Sequence, residues 1–239
     1  FVKVAPLAKM GIKAVKDGKI KFIPRRWYQQ YYHWMENLHD WPVSRQIWWG
    51  HQMPVYYCTD CQSGEELENP MVSVEKPLFC SNCKGKNIIQ DPDTFDTWFS
   101  SGQWPFTTLK VNPGDFEKFY PTNVLDTGWE IFWLWVTRMI MFGLYTVKEI
   151  PFKNVIAHGM LRDETGQKMS KSKGNGIDPL EMIEKYGADA TRFGLIATRE
   201  ITTDWMINKN QLEERIRGYR NFSNKIWNMG RFIVTTEKR

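Results

Sequence analysis

The sequence predicts an α/β fold, and three observations carry that expectation. Two short apolar runs, residues 123–126 (NVLD) and 154–157 (NVIA), flank residues 128–145, which are apolar on nearly every face. Strand, buried helix, strand is the pattern of a parallel sheet with a helical crossover. The 239 residues are 42% hydrophobic and 15% aromatic, enough to bury a sizeable core and unlike a disordered chain.

Taken in order, residues 1–26 combine a short extended start, an amphipathic helix and a second extended stretch around residues 19–23. Residues 27–57 hold an aromatic-rich helix followed by DWPVSRQIWWGHQMPVYY, and residues 58–91 form a cysteine module. Residues 92–200 carry the strands and helices of the α/β pattern. In such sheets ligands sit at the carboxyl ends of strands, which singles out Thr127-Gly128 and His158-Gly159. In residues 201–239, Leu212, Ile216, Tyr219, Ile226, Met229 and Ile233 mark the apolar stripe of a long helix. Arg215, Arg217, Arg220, Lys225 and Arg231 surround it. No internal repeat and no low-complexity tract interrupts this order.

Composition narrows the function classes. The balance of 32 Lys and Arg against 27 Asp and Glu suits a polyanionic partner without requiring one. Twelve tryptophans supply large contact areas with a polar handle, some for a site and most for core. The most apolar run, residues 131–144, is broken by Thr137 and Arg138 and is too short to span a bilayer. With no signal peptide, a cytoplasmic protein without membrane contact is expected. The first residue is Phe1 and the last, Lys238-Arg239, continue a helical pattern, so the expectation is a piece of a longer protein.

Two motifs carry chemistry. Cys58-x-x-Cys61 and Cys80-x-x-Cys83 have the spacing of two knuckles closing on one tetrahedral ion, and four thiolates suit a closed, structural Zn²⁺ site. The alternative is four free thiols. The second motif is residues 166–179, GQKMSKSKGNGIDP, with three lysines and three glycines. Glycines allow close backbone approach, and lysines are mobile point charges suited to phosphate. A solvated basic loop and a localisation signal are the alternatives, while the absence of GxxxxGK[ST] excludes a P-loop. Its exit is read as a helix start: Asp178 as N-cap, Pro179 in the first turn, Glu181 as reciprocal capping partner. The loop's end is thereby anchored while its lysines are expected to stay free.

Lys168–Ser172 reads KMSKS, the signature of class I aminoacyl-tRNA synthetases. Five blocks in family order resemble the valyl-tRNA synthetases of that class. They are SRQIWWGHQMPVYYC (44–58), DPDTFDTWFSSGQWPF (91–106), TGWEIFWLWVTRMIMFG (127–143), HGMLRDETGQKMSKSKGNGIDP (158–179) and GYRNFSNKIWNMGRF (218–232). An isoleucine-specific relative and a non-catalytic tRNA- or zinc-binding module derived from a synthetase are the rival readings.

The resemblance implies the second half of a Rossmann-like nucleotide-binding fold with an inserted zinc knuckle and a C-terminal helical segment. Residues 1–26 resemble the end of an editing insertion rejoining the core, and residues 201–239 the start of the stem-contact and anticodon-binding helices. It implies valine, ATP with Mg²⁺, and tRNA(Val) as partners, with a monomer as the default. By similarity, Lys168 and Lys171 are catalytic, neutralising phosphate charge. His158, Gly159, Met160, Met169, Ser170 and Ser172 complete the ATP contacts. Trp98 and Ile131 would wall the aliphatic pocket, with ordinary core packing the alternative for Trp98. Gly128 would admit the substrate to the backbone, and Glu130 would meet its ammonium group, although the family more often has Asp there. Such pockets reject a hydroxyl-bearing isostere poorly, and valyl-tRNA synthetase is the standard example of an enzyme that must edit. The companion HxGH signature is not in the sequence, so the chain is expected not to form aminoacyl-adenylate by itself.

Overall fold

The computed structural model describes residues 1–61, 69–197, 200 and 202–236. It divides into two compact units: residues 1–125 with 131–155, and residues 126–130 with 156–239.

The first unit opens with helix α1 (Val4–Lys16), which buries Val4, Leu7, Ala8, Gly11, Ala14 and Val15 along one helical stripe. Lys3 offers no capping oxygen, so the carboxylate of Asp40 accepts from the Val4 N–H at 3.0 Å. Strand β1 (Lys21–Ile23) leads to α2 (Trp27–Glu36), whose Trp27, Tyr31 and Met35 recur every four residues and are buried. Gly11 lets the two helices meet: a Cβ there would lie 2.8 Å from Met35 Cε.

Two small antiparallel sheets follow. Strand β2 (Ser44–Arg45) pairs with β6 (Thr94–Phe95). Strand β3 (Val55–Cys58) lies between β4 (Met71–Val72) and β5 (Ile88–Gln90), with Cys58 opposite Ile88. This sheet carries the cysteine module, of which residues 62–68 lie outside the described residues. Short helices α3 (Thr97–Ser101), α4 (Trp104–Thr107) and α5 (Asp115–Phe119) connect to the main sheet.

In the main sheet the order is β1, then β8 (Phe152–His158), then β7 (Thr122–Gly128). The helical crossover between β7 and β8 is the α/β pattern expected from the sequence. Residues 129–147 are not the single regular helix that their apolarity suggests. A 3₁₀ turn (Trp129–Ile131) and a π-helical turn (Phe132–Val136) precede α6 (Thr137–Phe142), and a second π-helical turn (Gly143–Val147) follows. Phe132, Val136, Met139 and Ile140 are fully buried, whereas Trp133, Leu134 and Trp135 are half-buried. The first π-helical turn carries these three successive large side chains, and the second leads out of α6 toward β8.

Phe132 centres the aromatic core, with ring centroids 4.8 Å from Trp133, 5.1 Å from Phe22, 6.1 Å from Trp27 and 6.4 Å from Tyr31.

The second unit pairs β9 (Leu161–Arg162) in parallel with β10 (Trp205–Met206). Around them lie α7 (Pro179–Tyr186), α8 (Ala188–Ile196) and α9 (Lys209–Thr236). Met182, Ala190, Trp205, Ile207, Leu212 and Ile216 form its core. Asp178 caps α7 as expected, accepting from Leu180 N–H at 2.9 Å. Glu181 does not return the bond; its carboxylate pairs with Lys209. The α9 stripe is also shorter than its periodicity suggests. Leu212 and Ile216 are buried, but Ile226, Met229 and Ile233 are exposed, because the described residues pack only on the first turns of this helix. The expected continuation to Lys238-Arg239 lies outside the described residues.

Replacing Phe132 with Ala removes a ring contacted on every side and should cost about 3–5 kcal/mol in denaturant unfolding. A loss below about 1 kcal/mol would show that this ring is not central to the core.

Candidate functional site

The second unit gathers most of the predicted site residues around the ends of β7 and β8. Strand β7 ends at Gly128, where a Cβ would lie 2.9 Å from Met160 Sδ. Strand β8 ends at His158, whose Nδ1 lies 2.9 Å from the Gly159 carbonyl oxygen. Gly159 is required by packing rather than by φ: a Cβ there would sit 1.9 Å from the Thr203 carbonyl oxygen. The residue after Thr203 completes the arrangement. The Asp204 carboxylate accepts from Trp129 Nε1 at 2.8 Å, from the Met160 N–H at 2.9 Å and from Arg162 Nε at 2.6 Å. Burial works to raise the Asp204 pKa, but the donors from Met160, Trp129 and Arg162 together outweigh it and leave the pKa below the usual carboxylate value. The ionised form is therefore the one this site holds. A cavity of about 380 Å³ opens beside these strand ends, lined by His158, Gly159, Met160, Leu161, Asp126 and Trp205 among others.

From here the chain runs into the lysine loop. Asp163 accepts from Thr165 N–H (3.0 Å), Thr165 Oγ1 (2.6 Å), Gln167 N–H (2.9 Å) and Asn175 Nδ2 (2.6 Å). Asn175 in turn accepts from the Ser170 N–H at 2.9 Å. Met169 N–H donates to the Leu161 carbonyl at 3.1 Å, and the Met169 side chain packs against the core of this unit. Ser170 and Ser172 face each other, with hydroxyl oxygens 3.3 Å apart. Gly166 and Gly174 take φ of 83° and 65°, a region that suits glycine. The loop is thus a hydrogen-bonded frame around residues 168–172.

One expectation about it changes. Lys168 is not free: its ammonium group is bonded to the Glu130 carboxylate. An apolar-run reading gives no sign of this pair, because its partners are 38 residues apart. The Lys171 side chain lies outside what the structure describes.

The structure therefore brings together Gly128, Glu130, His158, Gly159, Met160, Lys168, Met169, Ser170 and Ser172 in one unit. Trp98 and Ile131 belong to the first unit, and both are half-buried. Trp98 sits in the first turn of α3, where its N–H bonds Asp96 at 3.1 Å. Asp96 also accepts from Trp41 Nε1 (2.9 Å) and Arg45 (2.5 Å). Sequence reasoning missed Asp96, Asp163, Asn175 and Asp204. Asp96 before TW and the Asp163-x-Thr165 turn carry local capping signatures that could have been read. Asp204 carries none.

The four cysteines form the second candidate site. Their Sγ atoms all lie within 4.8 Å of one another, with Cys58–Cys83 and Cys61–Cys80 both at 3.6 Å. Tetrahedral ligation at a metal–sulfur distance of about 2.3 Å places sulfurs about 3.8 Å apart, so the donor set fits one ion. N–H groups of Asn82 and Gly85 donate to the sulfurs of Cys80 and Cys83 at 3.4 and 3.3 Å. Backbone donors from Cys83 and Asn82 pull the Cys80 thiol down to about 6, while hydrogen bonds with Cys80 and Cys83 push Cys61 up to about 12. Four thiols this close ionise together only with a cation among them.

Hydrogen bonds from Thr165 and then Asn175 hold the Asp163 carboxyl at about 2, below its ordinary value. A depressed carboxylate stabilises the folded loop above its unfolded pKa, about 3.9, and loses that contribution as pH falls toward 2. A carboxyl-carbon NMR titration should place the Asp163 midpoint near 2. A midpoint near 4 would contradict the loop geometry.

The sequence profile for tRNA synthetases class I (I, L, M and V) matches residues 1–208. The valine–tRNA ligase of Clostridium tetani is 52% identical over 236 residues, covering 98% of this chain and 26% of that protein. The valine–tRNA ligase of Solibacter usitatus is 48% identical over 235 residues, with the same shares. This chain thus spans about a quarter of the length of the curated relatives it matches. Among solved structures, LeuRS of Agrobacterium radiobacter K84, in a ternary complex with tRNA and LeuAMS, superposes with a TM-score of 0.63. That match has 23% identity and covers 80% of this chain and 28% of the other. Methionyl-tRNA synthetase of Mycobacterium tuberculosis with methionyl-adenylate gives a TM-score of 0.63 at 17% identity, covering 90% and 36%. These likenesses establish the shared fold. With its α/β core, its framed KMSKS loop and a family match over 208 residues, the chain belongs to the class I tRNA synthetases of the isoleucine, leucine, methionine and valine group.

Proposed function

We propose that the chain is the central part of a valine–tRNA ligase, carrying the KMSKS half of its activation site. The observation that supports this most is the placement of the lysine loop beside two glycine-bearing strand ends, held by Asp204 and Asp163. The 52% identity to a valine–tRNA ligase favours valine over isoleucine.

In the reaction read here, a carboxylate oxygen of valine attacks the α-phosphorus of ATP. The P–O bond to pyrophosphate breaks, and valyl-adenylate forms. A hydroxyl of the terminal adenosine of tRNA(Val) then attacks the carbonyl carbon, and AMP leaves with the bonding electrons while the hydroxyl proton passes to the departing phosphate or to solvent. Little proton chemistry is required of the protein in the first step, so positioning and charge stabilisation dominate. Lys168 and Lys171 supply positive charge to the phosphates, with the Ser170 and Ser172 hydroxyls beside them. His158, Gly159 and Met160 receive the adenosine at the end of β8. Trp98 and Ile131 wall the side-chain pocket, and Gly128 admits the substrate to the backbone. Glu130 offers its carboxylate to the substrate ammonium. The Lys168–Glu130 pair gives each group a partner of the charge it would meet in a ligand. Mg²⁺, bound with ATP, supplies further phosphate neutralisation.

The cysteine module, residues 58–91, is read as a zinc knuckle in which Cys58, Cys61, Cys80 and Cys83 hold one structural Zn²⁺. Residues 1–26 are read as the return from an editing insertion, 27–57 and 92–200 as catalytic core, and 201–239 as the first stem-contact helix. Arg217, Arg220, Lys225 and Arg231 on α9 are exposed and suited to the tRNA backbone. The described residues contain no helix long and apolar enough to cross a membrane; a cytoplasmic location is proposed on the likeness to valine–tRNA ligases.

Valine-dependent pyrophosphate exchange by the complete protein tests the reading, and exchange driven by isoleucine but not valine would refute it. In that protein Lys171→Ala should lower the activation rate at least a hundredfold (about 2.7 kcal/mol) while changing valine affinity little. Unchanged turnover would remove Lys171 from the phosphate site. Native mass spectrometry should find one zinc per chain, lost in Cys80→Ser together with the order of β3 and β5; equal folding without metal would overturn the structural role.

A further inference from the structure

The first unit contains a second feature that valine activation does not use. An open cleft of about 710 Å³ lies where the end of α1, β1 and the start of α2 meet. Its walls present three cations, Lys16, Lys21 and Arg25, and two tyrosines, Tyr28 and Tyr32, with no carboxylate among its lining residues. All three cations are exposed, and none has an acidic partner among the described residues. The nearest acid in sequence, Asp17, is taken by Lys13 at 2.8 Å. The concentration of charge is not an average property of the chain. Residues 1–35 hold eight Lys and Arg against the single acid Asp17, although the whole chain is only +5.

Three like charges around one concavity repel one another, and an anion entering it relieves that repulsion. The aromatic groups narrow the choice of anion. The Tyr28 and Tyr32 rings lie 6.5 Å apart, inclined at 51°, and both are half-buried in the cleft wall. The Lys16 ammonium stands 5.4 Å from the Tyr32 ring centroid. An acidic peptide would use the cations and leave the rings idle. A nucleic-acid strand uses both, with phosphates on the cations and a base against an aromatic face.

We propose that this cleft binds a single-stranded segment of RNA, its phosphates held by Lys16, Lys21 and Arg25 and a base set against Tyr32. RNA binding here does not depend on the valine reading; under that reading the segment is an unpaired stretch of the tRNA, contacted far in sequence from α9.

Fluorescence anisotropy of the complete protein with a fluorescein-labelled oligouridylate of about eight nucleotides tests this. The double variant Lys21→Glu/Arg25→Glu should weaken binding at least tenfold and reduce the slope of log affinity against log salt by about 1.4, the value for two lost phosphate contacts on a single strand. Tyr32→Leu should weaken binding about fivefold or more, and Tyr32→Phe, which keeps the ring, should restore it. Valine-dependent pyrophosphate exchange on the same variants should be unchanged, which also reports that they are folded. Failure of the wild-type protein to bind the RNA overturns the proposal. So does unchanged affinity in the double variant, or displacement of the RNA by polyglutamate at equal charge concentration. Absence of valine exchange in the wild-type protein overturns the ligase reading alone and leaves the RNA result standing.

Discussion

The Asp204 carboxylate is the interaction on which the candidate site depends. Three donors converge on it from the turn after β7, from the end of β8 and from β9. The shared acceptor is an ionised carboxylate, so all three hydrogen bonds are charge-assisted and stronger than neutral pairs, and the one from Arg162 is also an ion pair. Removing a shared acceptor leaves three donors without their partner at once, and that asymmetry makes such a group costly to lose. The same stretch explains Gly159: because the Thr203 backbone runs against it, any side chain there would push the 203–204 segment off the strand ends.

A second carboxylate works at shorter range. Asp163 gathers Thr165, Gln167 and Asn175, and through Asn175 it fixes the Ser170 backbone inside KMSKS. The two aspartates divide the task. Asp204 sets where the loop leaves the sheet, and Asp163 sets its internal shape. Between them, Arg162 bonds Asp204 and also donates to the Gly166 carbonyl at 3.1 Å, so the two networks share a chain segment. The backbone of KMSKS is therefore held in a hydrogen-bonded frame rather than in a free basic loop.

Local signals in the sequence were sufficient for what local physics decides. The stripe of α1, the Asp178 cap and the two apolar strands could all be read, because each is set by neighbours within a few residues. The cysteine pairs could be read because thiolate ligation imposes a spacing. Three features could not. The Trp129–Asp204 and Lys168–Glu130 contacts join residues 75 and 38 apart, and a lone Asp or Glu has no periodicity to betray its partner. The π-helical turns of residues 132–136 and 143–147 leave the apolar composition of the segment unchanged, so a hydropathy pattern does not encode them. The exposed second half of α9 shows the converse: periodicity marks a face able to pack, not whether something covers it.

Hydrogen exchange at the Met160 amide in the complete protein tests the central claim most directly, because that N–H donates to Asp204 at 2.9 Å. In Asp204→Ala the amide should exchange at least tenfold faster, while amides in the core of α6 keep their protection. An unchanged Met160 exchange rate would contradict the account, because the strand ends and the lysine loop would then be held in place without the shared carboxylate.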